Sequence, residues 1–463
     1  MTAVYSRPHP LSIWYDSRKW CLLLLVPLLR VLVLRQAGWE LFLHSSRDVL
    51  LALALVSYSV LRWYTTRYSL HDGLRWRQRL LYDHRLWVMA DDAASIEVER
   101  TPLMAIFGGR RVRINTAGLR RRADATVMMS KQQASRLLPM QGFRRPRHLC
   151  SYGAVLLMAA SGSNAAVGLL TLVPGLQQAA RLLGEEPDRF LHFAGEVVIR
   201  GIPAALQTAA NILVAGWAFA FLRQWLHFYG FYASRSGDAL HISSGFFTRR
   251  DVRIDCRKIT TLELRQTLLT RLFGLYTATI TAAGYGRESG TRPVLVPAAR
   301  PKRLCQLLDE LLPGFPTCAG RLRPRGKSWF RYLGAPLCWF LGAFLLRLLG
   351  VAPFLSLWGM IGFGWWLAVR AIGFFRSGFG VSDRAVTLRY SRGLALYEVQ
   401  IPIEVADSVR ITRSVFQRLH GTCTVEVHTF GEKRRRHRVM ELPYLPAAAL
   451  ARKLCERANK MKI

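Results

Sequence analysis

Apolar runs of membrane-spanning length come in pairs along this chain, and the segments between the pairs are polar. "WCLLLLVPLLRVLVL" (20–34) is followed by "DVLLALALVSYSVLRWY" (48–64), "CSYGAVLLMAASGSNAAVGLLTLV" (150–173) by "GIPAALQTAANILVAGWAFAFL" (201–222), and "YLGAPLCWFLGAFLLRLLG" (332–350) by "APFLSLWGMIGFGWWLAV" (352–369). Most approach the ~20 residues that cross a hydrocarbon core. Backbone polar groups in lipid must bond internally, so such runs fold as helices. About six spans are expected, in hairpins over 20–64, 150–223 and 332–375. The first run is short, contains Arg30 and follows Arg18 and Lys19 as a signal peptide would. No small-residue cleavage site follows it, so an uncleaved anchor is expected.

The polar segments between the hairpins repeat one another. A shift of 166 residues lays "SIEVER" (95–100) on "TLELRQ" (261–266) and "IFGGRRVRINTAG" (106–118) on "LFGLYTATITAAG" (272–284). A further shift of 147 brings in "SVRITR" (408–413) and "QRLHGTCTVEVHTFG" (417–431), with small insertions earlier in that copy. Self-similarity over such a length indicates one duplicated unit, a hairpin followed by a basic segment. The segments run over 65–148, 224–314 and 376–463, with 315–331 left as a basic linker ahead of the third hairpin.

Within each segment "RVRINT", "TATITA" and "CTVEVH" alternate with period two and favour β-branched residues, as half-buried strands do. Gly108, Gly274 and Gly421 immediately precede these strands, where a turn calls for positive φ. Each segment closes on a helical pattern: "KQQASRLLPM" (131–140), "PKRLCQLLDELL" (301–312) and "PAAALARKLCERA" (446–458). In the second, Leu304, Leu307, Leu308, Leu311 and Leu312 form one stripe. Strands capped by a carboxy-terminal helix make a small α+β barrel or sandwich.

The net charge is +36, and only nine of the cations are Lys. Such an excess points to anionic partners, nucleic acid or lipid, and the apolar runs decide for the membrane. Lys and Arg outnumber Asp and Glu by 17 to 7 over 65–148, 17 to 7 over 224–330 and 17 to 8 from 376 onward. The positive-inside rule then places all three segments and both termini in the cytoplasm. Three clusters are candidate contacts for anionic headgroups: Arg120, Arg121 and Arg122; Arg321, Arg323, Arg325 and Lys327; and Lys433, Arg434, Arg435 and Arg436. The second lies directly before a span, where each cation contributes about 1 kcal/mol toward an anionic surface. Either these clusters are solvated loops that only set topology, or they bind lipid, in which case the second clamps the second segment to the bilayer. No aromatics interleave with these clusters as a stacking platform would need, so no nucleic-acid partner is expected.

The order "LHISSGFFTRR" (240–250), "ITTLELRQ" (259–266), "RLFGL" (271–275) and "ITAAG" (280–284) resembles the second type of bacterial pleckstrin-homology (PH) domain, found in YdbS/YdbT-like membrane proteins. The likeness is weaker in the outer copies, where Ala105 stands for Arg271 and His420 for Phe273. It implies three PH-like domains of seven strands and a capping helix, each preceded by a membrane hairpin. It implies no catalytic residues and no cofactor, and it suggests a shorter relative with one hairpin and one domain as partner. A homo-oligomer is a further open arrangement.

No enzyme motif stands against this. "RPRGKS" (323–328) ends like a phosphate loop but has Arg321 where that loop needs glycine, and "GYGRESG" (284–290) lacks the dinucleotide spacing. The eight cysteines show no CxxC spacing and are expected to be small buried hydrophobes. Arg30, Arg200, Arg347 and Arg370 fall in or at the ends of spans, where snorkelling accounts for them. The expected protein is a multi-pass inner-membrane protein, not an enzyme, whose cytoplasmic PH-like domains bind lipid or protein or support assembly. The rival is a transport, export or toxic-peptide-resistance component.

Overall fold

A computed structural model describes residues 5–21, 39–70, 74–80, 82–88, 93–116, 125–137, 152–160, 219, 221–282, 293–313, 315, 322–350, 353–429 and 435–462. The first unit contains β1 (Thr66–Ser69), β2 (Leu74–Arg79), β3 (Asp83–Val88), β4 (Ala93–Arg100), β5 (Gly109–Thr116) and β6 (Ala125–Ser130), then a helix over Lys131–Leu137. The second contains β7 (Tyr232–Ser236), β8 (Ala239–Ser244), β9 (Arg249–Asp255), β10 (Ile259–Thr267), β11 (Tyr276–Ala282) and β12 (Val294–Ala299), closed by the helix Pro301–Leu311. The third contains β13 (Gly378–Val381), β14 (Ala385–Arg392), β15 (Ala395–Pro402), β16 (Ala406–Thr412), β17 (Thr422–Thr429) and β18 (Arg435–Pro443), closed by Tyr444–Lys462. Among the described residues each unit thus has six strands, where the resemblance implied seven. They form two antiparallel three-stranded meanders.

Each unit closes around its own core. In the second, Ile280 on β11 is fully buried against Leu304, Leu307 and Leu311 of the capping helix, with Leu308 packed at the rim. The expected stripe therefore faces the sheet. The first and third cores repeat the plan around Ile114 and Val127 and around Val427 and Leu454.

The sheets do not stop at the unit boundaries. One six-stranded sheet runs β6-β5-β4-β9-β8-β7 and another runs β12-β11-β10-β15-β14-β13. The fourth strand of one unit pairs antiparallel with the third strand of the next: Ile96 faces Arg253 between β4 and β9, and Leu262 faces Gln400 between β10 and β15. The two registers are related by the same offsets, 166 and 147 residues, that relate the units in sequence. Edge amides and carbonyls that would otherwise need water or another chain are thereby satisfied.

A buried ionic cluster sits at the first junction. Glu99 on β4 lies 3.1 Å from Arg113 and 3.5 Å from Arg111 on β5, and Arg250 of β9 approaches Glu97 and Glu99 at 3.9 Å each. The ring of Tyr15, from the amino-terminal helix Leu11–Cys21, lies 4.2 Å beneath the Arg111 guanidinium.

Among the described residues two helices are long and apolar enough to cross a membrane, Gly326–Leu348 and Ser356–Arg376. They are the fifth and sixth expected spans, and Trp339 stacks on Phe363 between them at 5.5 Å. The second apolar run forms part of the helix Trp39–Thr65. Most of the first, third and fourth runs lies outside the described residues. Cysteine burial is mixed. Cys423 is buried, and burial pushes its thiol up to about 11, but Cys305, Cys338 and Cys455 are exposed, contrary to expectation.

Ile280→Asp places an unpaired charge in the second core. It is expected to cost several kcal/mol, read as lost abundance and early protease cleavage in 224–314 of the membrane-extracted protein. Wild-type resistance would contradict this core assignment.

Candidate functional site

Between the fourth and fifth strand of every unit the chain makes a one-turn helix. Pro102–Ile106, Leu268–Leu272 and Val415–Leu419 start on capping residues Thr101, Thr267 and Ser414, whose hydroxyls accept from the backbone three positions on. The second and third are reciprocal capping boxes. Each ends through Gly108, Gly274 or Gly421 at φ of +73°, +64° and +63°, a region that other residues enter with strain. The expected turns thus stand at the expected glycines, with a helical turn ahead of each.

These helical turns expose apolar side chains instead of burying them. Leu103, Ile106 and Phe107 in the first, Leu272 and Phe273 in the second, and Val415, Phe416 and Leu419 in the third all face solvent, Leu272 at 81%. A soluble protein rarely repeats such tips without something to cover them.

The second and third tips lie beside the two candidate spans, and the first lies beside the helices Leu11–Cys21 and Trp39–Thr65. Phe107 lines a crevice with Trp14 of the amino-terminal helix and Val56 of Trp39–Thr65. Arg376, the last residue of the sixth span, donates to Gln266 Oε1 and Tyr276 Oη, both at 2.7 Å, on either side of the second helical turn. At the entry to the fifth span Arg331 bonds His420 Nδ1 at 3.0 Å and lies 5.5 Å over the Phe416 ring. The fifth span, the residue just after the sixth and β14 meet through the Tyr332 hydroxyl, bonded to Ser377 and Ser391 at 3.0 and 3.1 Å. A Cβ at Gly373 would lie 2.5 Å from Ser391 Oγ, so only glycine admits this approach.

Glu441 organises the third tip. Its carboxylate, 5% exposed, accepts from Gln417 Nε2 at 2.8 Å and Thr422 Oγ1 at 2.9 Å, with Arg331 at 4.0 Å. Its carbonyl accepts from the Arg325 amide at 3.3 Å. It holds φ +60°, unusual for glutamate and tolerated where surrounding bonds fix it.

The basic clusters fall at two different heights. Arg323, Arg325 and Lys327 are exposed on the approach to the fifth span, and Arg325 Nη1 donates to the His420 carbonyl at 3.1 Å. Leu322 bridges to Phe379 of β13. This linker therefore docks on the third unit, whereas sequence position had assigned it to the second. Arg435 and Arg436 lie at the end of β18 that pairs with Thr429 and His428, and the helical turn lies at the other end, where Thr422 pairs with Pro443. A strand of this length spans about 25 Å, so Arg436 stands well back from the tip. Arg120, Arg121, Arg122, Arg321, Lys433 and Arg434 lie outside the described residues. Among the described residues no His/Cys/Asp/Glu cluster could hold a metal ion.

The S-x-x-Q pattern at 414–417 could have revealed the third helical turn. Neither Glu441 nor Arg376 has a local signal, because their partners are remote in sequence.

Residues 22–140, 190–312 and 337–461 each match the Bacterial PH domain family, so each match covers a unit together with at least part of the apolar region before it. Over 312 residues the chain is 24% identical to the UPF0699 transmembrane protein YdbT of Bacillus subtilis (strain 168), covering 60% of this chain and 62% of that protein. The chain thus spans less than two thirds of that relative's length. No solved structure matches.

Glu441→Ala leaves the Gln417 and Thr422 donors without their acceptor. Stranded buried donors cost about 1–3 kcal/mol each, so tryptic cleavage at Arg418 and amide exchange over 414–421 are expected to rise while the third core stays folded. Unchanged exchange there would remove Glu441 from this role.

Proposed function

This chain belongs to the bacterial PH-domain family and is a membrane protein, and on that premise we propose a non-enzymatic, multi-pass assembly module of the bacterial inner membrane. Its three cytoplasmic units rest on the bilayer through their helical tips and present their remaining surfaces to partners. The observation that carries this is the recurrence of exposed apolar tips in all three units, two of them beside the candidate spans. Amphipathic tips gain apolar burial at the headgroup boundary, and neighbouring cations add attraction to anionic lipid.

Arg323, Arg325 and Lys327 are the cations best placed for headgroups. Trp329 and Phe330, both exposed at the head of the fifth span, suit the interfacial belt. The ligand classes are anionic lipid at the tips and protein at the surfaces farther from the membrane. Six spans with both termini inside account for the Arg bias and the paired runs.

Two measurements test this. Spin labels at Leu272, Phe416 and, as control, the exposed Arg303 of the capping helix are compared in full-length protein in anionic nanodiscs. The first two are expected to favour oxygen over a polar nickel relaxant, and equal polar access at all three would overturn the membrane contact. Reporter fusions after residues 145, 320 and 463 are all expected to report cytoplasm, and one periplasmic result would break the three-hairpin topology.

A further inference from the structure

The junction that joins the units is used twice, and its two halves are left over at the ends of the array. β3 is the first unit's counterpart of β9 and β15, yet it is the edge of the sheet β1-β2-β3. β16 is the third unit's counterpart of β4 and β10, yet it is the edge of β16-β17-β18. We propose that a second copy of this chain pairs its β3 with β16 of the first, head to tail, in the register of the two internal junctions.

Ladder equivalences fix that register. Leu74 faces Val88 as Leu240 faces Ile254, which makes Trp87 the counterpart of Arg253. Leu262 faces Ile280 as Val409 faces Val427, which makes Val409 the counterpart of Leu262. Because Leu262 and Ile96 occupy one junction position and Arg253 and Gln400 the other, Val409 falls opposite Trp87. Arg410 then meets Leu86, Ile411 meets Arg85, and Arg413 meets Asp83.

The burial of these strands supports the pairing. Ser95 and Glu97 on β4 and Thr261 and Glu263 on β10 are buried within their junctions, whereas Asp407, Ser408 and Arg410 on β16 are exposed. On β3, Trp87 is 70% exposed, as are Asp83, His84 and Arg85 in large part, whereas its counterparts at the paired third strands are half-buried (Arg253) and buried (Gln400). Charges usually guard an open edge against pairing. Here the register sets no like charges directly opposite and brings Arg413 across from Asp83, an arrangement that favours pairing. Both edges belong to units seated on the same bilayer, so a second copy offers β3 at the height where β16 waits. A head-to-tail contact closes into a ring or extends as a row.

The inference rests on the reading that all three units share one membrane face, which the reporter fusions test independently. Trp87→Cys and Val409→Cys are combined in the full-length chain and oxidised in native membranes. A ladder of covalent dimers and higher species is expected on a non-reducing gel, several-fold above either single variant. Trp87→Cys with Arg410→Cys, which puts the thiols on opposite faces, is expected to fall to the single-variant level. Equal ladders in both pairs would overturn the register. No ladder, together with single-step photobleaching of wild-type protein in membranes, would overturn the self-pairing and leave these edges to another occupant, such as a single-unit relative.

Discussion

Every unit in this chain ends in a strand edge that would be unpaired if the unit stood alone. Antiparallel pairing of β4 with β9 and of β10 with β15 joins those edges and turns three small α+β bodies into one array. Each meander alone has only three strands, close to the minimum for independent stability. The shared ladders join four of them into two six-stranded sheets and fix the angle between units through backbone bonds. The ionic cluster of Glu97, Glu99, Arg111, Arg113 and Arg250 is the side-chain counterpart of that ladder, since desolvated carboxylates require nearby cations.

The array also sets where the helical turns lie. The helical turn recurs at one place in every unit, and those of the second and third units fall beside the two candidate spans. Arg376, Arg331 and Tyr332 bond the third hairpin to the second and third units, so that hairpin is held to two units at once. The three units therefore form one platform and not three independent domains.

Much of this was written in the sequence wherever side-chain periodicity reports on structure. The Leu304–Leu311 stripe, the alternation of "TATITA" and the glycines 108, 274 and 421 identified the capping helix, strand and turn because each reflects a local face or dihedral. The shared sheets were not visible, because backbone pairing leaves no side-chain period. Nothing local in "SIEVER" signals that Glu97 and Glu99 are buried beside Arg250, which comes from another unit. Five-residue helices are too short to show a period. Basic runs reveal charge but not height, so Arg436 and Arg325 looked alike until the hairpin β17–β18 separated them.

Amide hydrogen exchange of the full-length protein in nanodiscs tests the shared-sheet array most directly. Residues 96–99, 250–253, 262–266 and 396–400 are expected to exchange as slowly as the interior strands β5 and β11, because each is paired on both sides. Rapid exchange at both junctions, with β5 and β11 still protected, would show three separate bodies on a tether and contradict the array.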